Sequence, residues 1–344
     1  MSTFLITGGA GFIGSNYLNY IVNKYPSYQY INLDLLTYAG NLENISELKQ
    51  YTNYNFVHGS ICDRQLIEYL FQKFKIDGII HFAAESHVDN SIKNPDAFIK
   101  TNVNGTFTLL EVARNFWMDA PNKYKKGLEH ARFLHISTDE VFGSLGDEGL
   151  FTETTPYAPN SPYSASKAAS DMLVRSYYQT YGMNVVTTNC SNNYGPMQHD
   201  EKLIPTIIRK ALALESIPIY GFGLNIRDWL YVEDHCHAIE LVYYNGKPGE
   251  SYLIGGNNEK TNIEIVNTIC MILDEKMQDY LNSKGIGSFK ELITFVQDRA
   301  GHDFRYAIDA SKIRRELDWK PIISFDEGLR RTVSYYLNKF TGNI

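Results

Sequence analysis

Cysteine is scarce: only Cys62, Cys190, Cys236 and Cys270 occur in 344 residues, and no two form a C-x-x-C pair. That spacing supplies neither a disulfide framework nor a thiolate zinc site, so reduced and mostly buried thiols are expected. Positive charge is also in short supply. With 32 Lys and Arg against 39 Asp and Glu, the formal net charge is −7, which excludes a general nucleic-acid binder that must displace counterions from phosphates. An unbroken apolar run of about 20 residues is missing. Residues 1–23 carry no charged side chain, but Gly, Asn, Ser and Thr interrupt them and no basic leader region appears. The expectation is a cytoplasmic chain with no membrane partner. Internal repeats, low-complexity tracts and long charge runs are absent too. What is present is an ordinary globular composition, 44% hydrophobic and 21% charged, which permits a substantial core in one large or two ordinary domains.

Through the first half, strand-like runs alternate with helical stretches. The strands read as Phe4–Thr7, Tyr30–Asp34, Asn55–His58, Gly78–Phe82, Arg132–Ser137 and Asn184–Cys190, and the helices as Phe12–Lys24, Asp63–Phe74, Pro95–Trp117 and Ser164–Tyr181. This rhythm predicts an α/β fold built on a Rossmann-type, doubly wound parallel sheet. After Tyr194-Gly195-Pro196 the pattern is less regular, with turn-rich segments and short helices around Leu203–Leu214 and Ile263–Leu273. A smaller α/β C-terminal lobe is expected there. The division is residues 1–195 for the first domain, with a return segment near 228–255, and 196–344 for the second.

Gly8, Gly11 and Gly14 fall where the first strand meets the first helix. The G-x-x-G-x-x-G spacing lets the backbone turn tightly, approach a pyrophosphate closely and present amide N–H groups at a positive helix end. Asp34 ends the second strand 20 residues after Gly14, where a carboxylate accepts ribose hydroxyls and repels a 2′-phosphate. NAD rather than NADP is the predicted cofactor.

Tyr163 and Lys167 stand one helical turn apart on one face. The lysine's charge is expected to favour phenolate and lower the tyrosine pKa, making Tyr163 a base for an alcohol. The spacing alone is uninformative, because Tyr20/Lys24, Tyr69/Lys73 and Tyr280/Lys284 share it. Only Tyr163/Lys167 follows a strand whose end carries Ser137-Thr138-Asp139-Glu140, and open α/β sheets hold their ligands at strand C-terminal ends. Successive residues of a strand point to opposite faces, so Asp139 and Glu140 reach one ligand only if the chain turns immediately after Thr138. Two adjacent carboxylates also push one pKa upward, which would keep an acid protonated near neutrality. His235-Cys236-His237 hints at metal, but i,i+2 spacing on a helix points the imidazoles apart, so no metal site is expected.

These residues resemble the extended short-chain dehydrogenase/reductase family, and within it the dTDP-glucose 4,6-dehydratases. The resemblance spans nearly the whole chain: Thr7–Gly14, His81–Asp89, Ser137–Val141, Tyr163–Lys167, Asn192–Pro196, Lys202–Pro205, Arg227–Trp229 and Arg299–Asp303. It implies a lyase that converts dTDP-glucose to dTDP-4-keto-6-deoxyglucose plus water, feeding deoxysugar pathways such as rhamnose synthesis. Tyr163 and Lys167, with Thr138 at the sugar's O4, would oxidise C4; Glu140 would remove the C5 proton and Asp139 would protonate the departing C6 hydroxyl. The hydride would then return to C6 from tightly held NADH. For the cofactor it implies Gly8, Gly11, Phe12, Ile13, Gly14, Asp34, Leu35, Leu36, Thr37, Ser60, Ile61, Phe82, Ala83, Ala84, Ser86, Thr101, Tyr163, Lys167 and Asn193. For the nucleotide sugar it implies Ser86, Thr138, Asn192, Lys202, Leu203, Pro218, Ile219, Tyr220, Arg227, Asn262, Arg299 and His302. A homodimer through helices including Ser164–Tyr181 is implied as well.

Three positions depart from the family pattern: Ser60 where Asp is usual, Asn90 where Arg is common, and Phe142 in place of Tyr. They leave the catalytic roles untouched, though Ser60 cannot offer adenine an anionic acceptor. The competing readings are a dehydratase of UDP- or CDP-glucose, an NAD-dependent sugar-nucleotide 4-epimerase, and a non-catalytic NAD-binding regulator, since fold alone never proves function.

Overall fold

The computed structural model describes residues 2–298 and 301–342. Seven strands form one sheet: β1 (Thr3–Thr7), β2 (Gln29–Asp34), β3 (Tyr54–His58), β4 (Gly78–His81), β5 (Arg132–Thr138), β6 (Val185–Cys190) and β7 (Ser251–Ile254). Their order is β7-β6-β5-β4-β1-β2-β3 and every neighbouring pair is parallel. The chain reverses direction across the sheet between β1 and β4, and the crevice at the carboxyl ends of those strands is where such a sheet receives a ligand.

The strands are apolar without alternation, as in Phe4-Leu5-Ile6 and Ile79-Ile80, because helices cover both faces. Helices α1 (Phe12–Lys24) and α5 (Val232–Asn245) pack into the core on one face. Helices α2 (Arg64–Phe74), α3 (Thr106–Trp117) and α4 (Pro162–Tyr181) pack into that on the other. Local chemistry sets their ends. Asp63 accepts from the Leu66 N–H at 3.1 Å, while Ser161 and Ser164 form a reciprocal cap and Pro162 occupies the first turn of α4. Gly182 ends α4 with φ 66°, a conformation that costs glycine little.

A strand and a helix illustrate where the fold differs from the sequence reading. Ser251–Ile254 joins the sheet beside β6; four residues followed by two glycines are too short a run to separate from the turns around it. The helix expected over Pro95–Trp117 is interrupted by a π-helical turn, Ile99–Gly105. There the Thr106 hydroxyl donates to the Asn102 carbonyl at 2.6 Å, and the Asn102 amide reaches inward to Glu85 O at 3.0 Å and Ser166 Oγ at 2.8 Å. Such bulges commonly re-aim side chains beside functional sites.

Beyond Tyr194, strands Ile217–Tyr220 and Ile293–Val296 pair in parallel, and Asn192–Tyr194, Ile226–Tyr231 and Glu259–Thr261 form a second small sheet. Helices Leu203–Leu212, Asn262–Lys276 and Phe325–Thr341 enclose a separate apolar core there. Ala310, Ile313 and Trp319 instead pack back into the core beside α1 and α5. Among the described residues no helix is long and apolar enough to cross a membrane.

Candidate active site

A half-open cleft of about 320 Å³ lies at the carboxyl ends of the strands, lined by the glycine turn after β1 and by parts of the loop 190–202. Backbone forms its first wall. Gly8 turns at φ 72°, and a Cβ there would lie 2.6 Å from Ala83 N; a Cβ on Gly14 would lie 2.3 Å from Gly8 O. At Gly11, which lines the cleft, an added Cβ meets only Gly8 O at 3.3 Å, so a side chain would fill the cleft itself. Helix α1 begins here with no side-chain cap and no acid in its first turn, which favours an anion. Asp34 Oδ2 accepts from Ala10 N at 2.9 Å and Oδ1 from Leu36 N at 2.8 Å, fixing the carboxylate at the cleft edge. This cradle fits a dinucleotide: close glycines for the pyrophosphate and an oriented carboxylate for a ribose.

Most residues expected to hold the cofactor line this one cleft: Gly8, Gly11, Phe12, Ile13, Gly14, Asp34, Leu35, Thr37, Ser60, Ile61, Phe82, Ala83, Ala84, Ser86, Thr101 and Asn193. Leu36 is not among its lining residues. Ser60 accepts from the Cys62 N–H at 3.1 Å. Asn193 donates through its side-chain amide to Ser191 O at 2.9 Å, and its side-chain oxygen accepts from His235 Nδ1 at 2.8 Å.

The catalytic candidates Thr138, Asp139, Glu140, Tyr163 and Lys167 line the same cleft. A 3₁₀ turn, Asp139–Phe142, starts directly after Thr138, whose hydroxyl accepts from the Glu140 N–H at 3.3 Å. The required turn is therefore there, and both carboxyls face one cavity. Asp139 is 1% exposed. Its Oδ1 accepts from the Thr138 hydroxyl at 3.2 Å, and its buried Oδ2 has no hydrogen-bond partner among the described residues. Burial, then the charges of Glu140 and Asp228, push this carboxyl well above the usual carboxylate range. A proton held there is available to a leaving group.

The expected lowering of the Tyr163 pKa is corrected by the structure. Burial, then the charge of Glu140, pushes the phenol up. Lys167, the neighbour one turn on, donates from its Nζ to the Ile136 carbonyl at 2.8 Å. Phe142, at the third departure, is buried against Phe151 and edge-on to Tyr157; an apolar cluster surrounds it and a phenol is not required. The imidazoles of His235 and His237 diverge, one buried and one exposed.

The residues expected to hold the nucleotide sugar gather less completely. Ser86, Thr138, Asn192 and Lys202 line the cleft, and Lys202 Nζ crosses it to Ser86 O at 3.1 Å. Leu203, Pro218, Ile219, Tyr220, Arg227, Asn262 and His302 are not among its lining residues. Leu203 and Ile219 pack in the core of the second lobe, so a ligand could meet Ile219 only through its backbone. Pro218 and Tyr220 are exposed on the same strand, and Tyr220 stands edge-on to His302 with centroids 6.3 Å apart. His302 in turn contacts Asp298 at 2.6 Å. Asn262 opens its helix, its N–H donating to Asn225 O at 3.1 Å. Arg227 is buried over the Tyr306 ring and donates to Ile226 O, Phe304 O and Asp303 O; its charge also acts on Asp139. Arg299 lies outside the described residues.

Sequence reasoning missed Gln198, His199 and Glu201, which line the cleft, and Asn102 and Asp171, which hydrogen-bond to Ser166 and Ser137 beneath it. The signal for Asp171 was visible as a third polar residue at four-residue spacing after Tyr163 and Lys167.

Sheet order, glycine cradle and Tyr-Lys face are together those of the extended short-chain dehydrogenases/reductases. The family profile described as GDP-mannose 4,6 dehydratase matches residues 5–332. A dTDP-glucose 4,6-dehydratase of Xanthomonas campestris pv. campestris (strain B100) is 52% identical over 342 residues, 99% of this chain and 95% of its own. A crystal structure of dTDP-glucose 4,6-dehydratase from Bacillus anthracis in complex with NAD superposes with a TM-score of 0.83 at 45% identity, covering 98% of this chain and 97% of that one. The corresponding enzyme of Streptomyces venezuelae, crystallised with NAD bound, gives 0.86 at 43% identity over 99% and 98% of the two chains. The chain belongs to the dTDP-glucose 4,6-dehydratase family.

Proposed function

We propose that this protein is an NAD-dependent lyase that removes water from dTDP-glucose to give dTDP-4-keto-6-deoxyglucose. The observation that carries the reading is the turn after Thr138, which brings Asp139 and Glu140 into the cleft that Tyr163 and Lys167 also line. An epimerase eliminates nothing and needs no such pair.

Thr138 holds the sugar's C4 hydroxyl and Tyr163 takes its proton. Oxidation to a ketone acidifies the neighbouring C5 hydrogen, which Glu140 removes while the raised Asp139 carboxyl protonates the leaving C6 hydroxyl; Glu140 gives its proton back to C5 when the hydride reaches C6. Lys167 supplies a buried positive charge behind Tyr163. A bound nicotinamide would supply the two-electron acceptor for C4 as NAD⁺, the hydride donor for C6 as the NADH so formed, and, when oxidised, a positive charge in the cavity that holds the Tyr163 phenol. The glycine cradle and Asp34 hold that group, and Lys202, Asn192 and the exposed Tyr220 side of the second lobe hold the nucleotide.

The same reading assigns cofactor binding to residues 1–195 with the 228–255 return, and nucleotide-sugar binding to 196–344. It takes the protein to be a cytoplasmic homodimer supplying deoxysugar synthesis, rhamnose included. Exposed Phe107 on α3 and Met172 on α4 support pairing through those helices, and light scattering that finds only monomer would remove that part.

The test is mass spectrometry of dTDP-glucose, UDP-glucose, CDP-glucose and GDP-mannose incubated separately with the purified protein and no added reductant. Loss of one water from dTDP-glucose alone is the expected result. Unchanged mass with conversion to the galactose epimer would replace the reading, and inertness despite bound NAD would remove the roles of Asp139 and Glu140.

A further inference from the structure

Asp171 lies two turns beyond Tyr163 and one beyond Lys167 on α4, 3% exposed. Four side chains converge on its carboxylate. His135 Nε2 meets Oδ1 at 3.0 Å, and Oδ2 accepts from Ser137 Oγ at 2.8 Å, Tyr157 Oη at 3.0 Å and Asn189 Nδ2 at 3.1 Å. His135 and Ser137 belong to β5 and Asn189 to β6. The same Asn189 amide also donates to the Thr138 carbonyl at 3.1 Å, the last peptide before the carboxylate turn. A single side chain thus ties the helix carrying the Tyr-Lys pair to the strand end carrying Thr138, Asp139 and Glu140.

Lys167 needs such a partner. It is 4% exposed, with its Nζ on the Ile136 carbonyl, and burial pushes its ammonium pKa down while the charge of Asp171 opposes that. The other groups facing it are poor counter-charges. His81 on β4 and His135 on β5 are held neutral by burial. Cys190 on β6 is pushed up to about 12, chiefly by burial. Tyr163 and Asp139 are raised, again chiefly by burial, and Tyr157 is raised by burial and by Asp171.

We propose that Asp171 is a positioning residue for this reaction: it keeps Lys167 charged inside the protein and locks the end of β5, with its carboxylate turn, in register with the Tyr163–Lys167 face. The inference rests on the dehydratase reading for its catalytic meaning, but its electrostatic half can be read without turnover. In Asp171→Asn the pH at which Lys167 becomes half-reactive toward a trace of acetic anhydride, followed by mass spectrometry of its peptide in the purified protein, falls by about one unit or more. The alkaline limb of kcat for dTDP-glucose moves the same way, with KM little changed. A uniform loss of kcat at every pH with the Lys167 titration unmoved would reduce Asp171 to a structural bond and overturn the proposal. Should Asp171→Asn fail to fold, Tyr157→Phe removes one donor but keeps the carboxylate: its Lys167 titration stays or rises, and a fall would overturn the proposal. Wild-type protein that releases no water from dTDP-glucose would sink the functional reading alone, leaving the labelling result to stand on its own.

Discussion

The two walls of the cleft are built from different materials. The glycine wall is backbone: Gly8 and Gly14 are so close to neighbouring main chain that an added Cβ would fall within 2.6 Å and 2.3 Å of it. The catalytic wall is side chain, buried carboxyl, phenol and ammonium groups whose protonation depends on one another and on Asp171. A backbone wall fails by steric collision, whereas a side-chain wall fails by losing the right charge at the right atom. Substitutions on the first should therefore damage binding and stability together, and those on the second should damage turnover while leaving the fold intact.

The largest separation is expected at the carboxylate turn. Asp139→Asn and Glu140→Gln each lower steady-state release of water from dTDP-glucose by about 10²–10⁴-fold, with NAD still bound; equal loss of NAD would erase the distinction between the walls. Next in size, Gly14→Ala forces a Cβ against the Gly8 carbonyl and lowers stability by roughly 1–3 kcal/mol, with NAD affinity falling in parallel by calorimetry. Unchanged affinity would show that the cradle tolerates movement.

Smaller again is a pH-dependent gain. The Asp139 carboxyl is raised in the fold, so between the ordinary carboxylate range and that raised value the folded chain binds more protons than the unfolded one, and its stability falls as pH rises. Asp139→Asn removes this loss. The variant's melting temperature should exceed that of the wild type by more near pH 7 than near pH 4, at about 1.4 kcal/mol for each unit of displacement. A constant difference would mean that Asp139 is not neutralised by burial. Least affected should be Tyr220→Ala on an exposed strand position, with KM for dTDP-glucose rising several-fold, kcat held and melting unchanged.

The backbone wall was the easier to read. Gly8, Gly11, Gly14 and Asp34 are near neighbours in sequence, and the physics that fixes their spacing is local. The other six strands were legible for the same reason, since runs such as Phe4–Thr7 and Asn184–Cys190 declare burial on both faces. Ser251–Ile254 was not, because its place beside β6 is a long-range pairing. Local patterning also missed the π turn at Ile99–Gly105, which depends on Asn102 reaching Glu85 and Ser166 from a distant helix. At the catalytic wall, residue identities could be read but not their charge states. Tyr163 was expected to be lowered by Lys167; the burial and the Glu140 charge that raise the phenol exist only in the fold. The second lobe was least legible, since its short strands, such as Ile217–Tyr220 with Ile293–Val296 and Ile226–Tyr231 with Glu259–Thr261, pair between segments far apart in sequence.

The most direct test of the division of labour at the carboxylate turn is a single turnover of dTDP-glucose by Glu140→Gln protein carrying its NAD. The near-ultraviolet absorbance of reduced nicotinamide and the mass of the sugar nucleotide would be followed together. The account predicts that the absorbance rises and persists while no water is lost, because C4 is oxidised and C5 keeps its proton. Water loss at the wild-type rate, or no rise in absorbance at all, would contradict it.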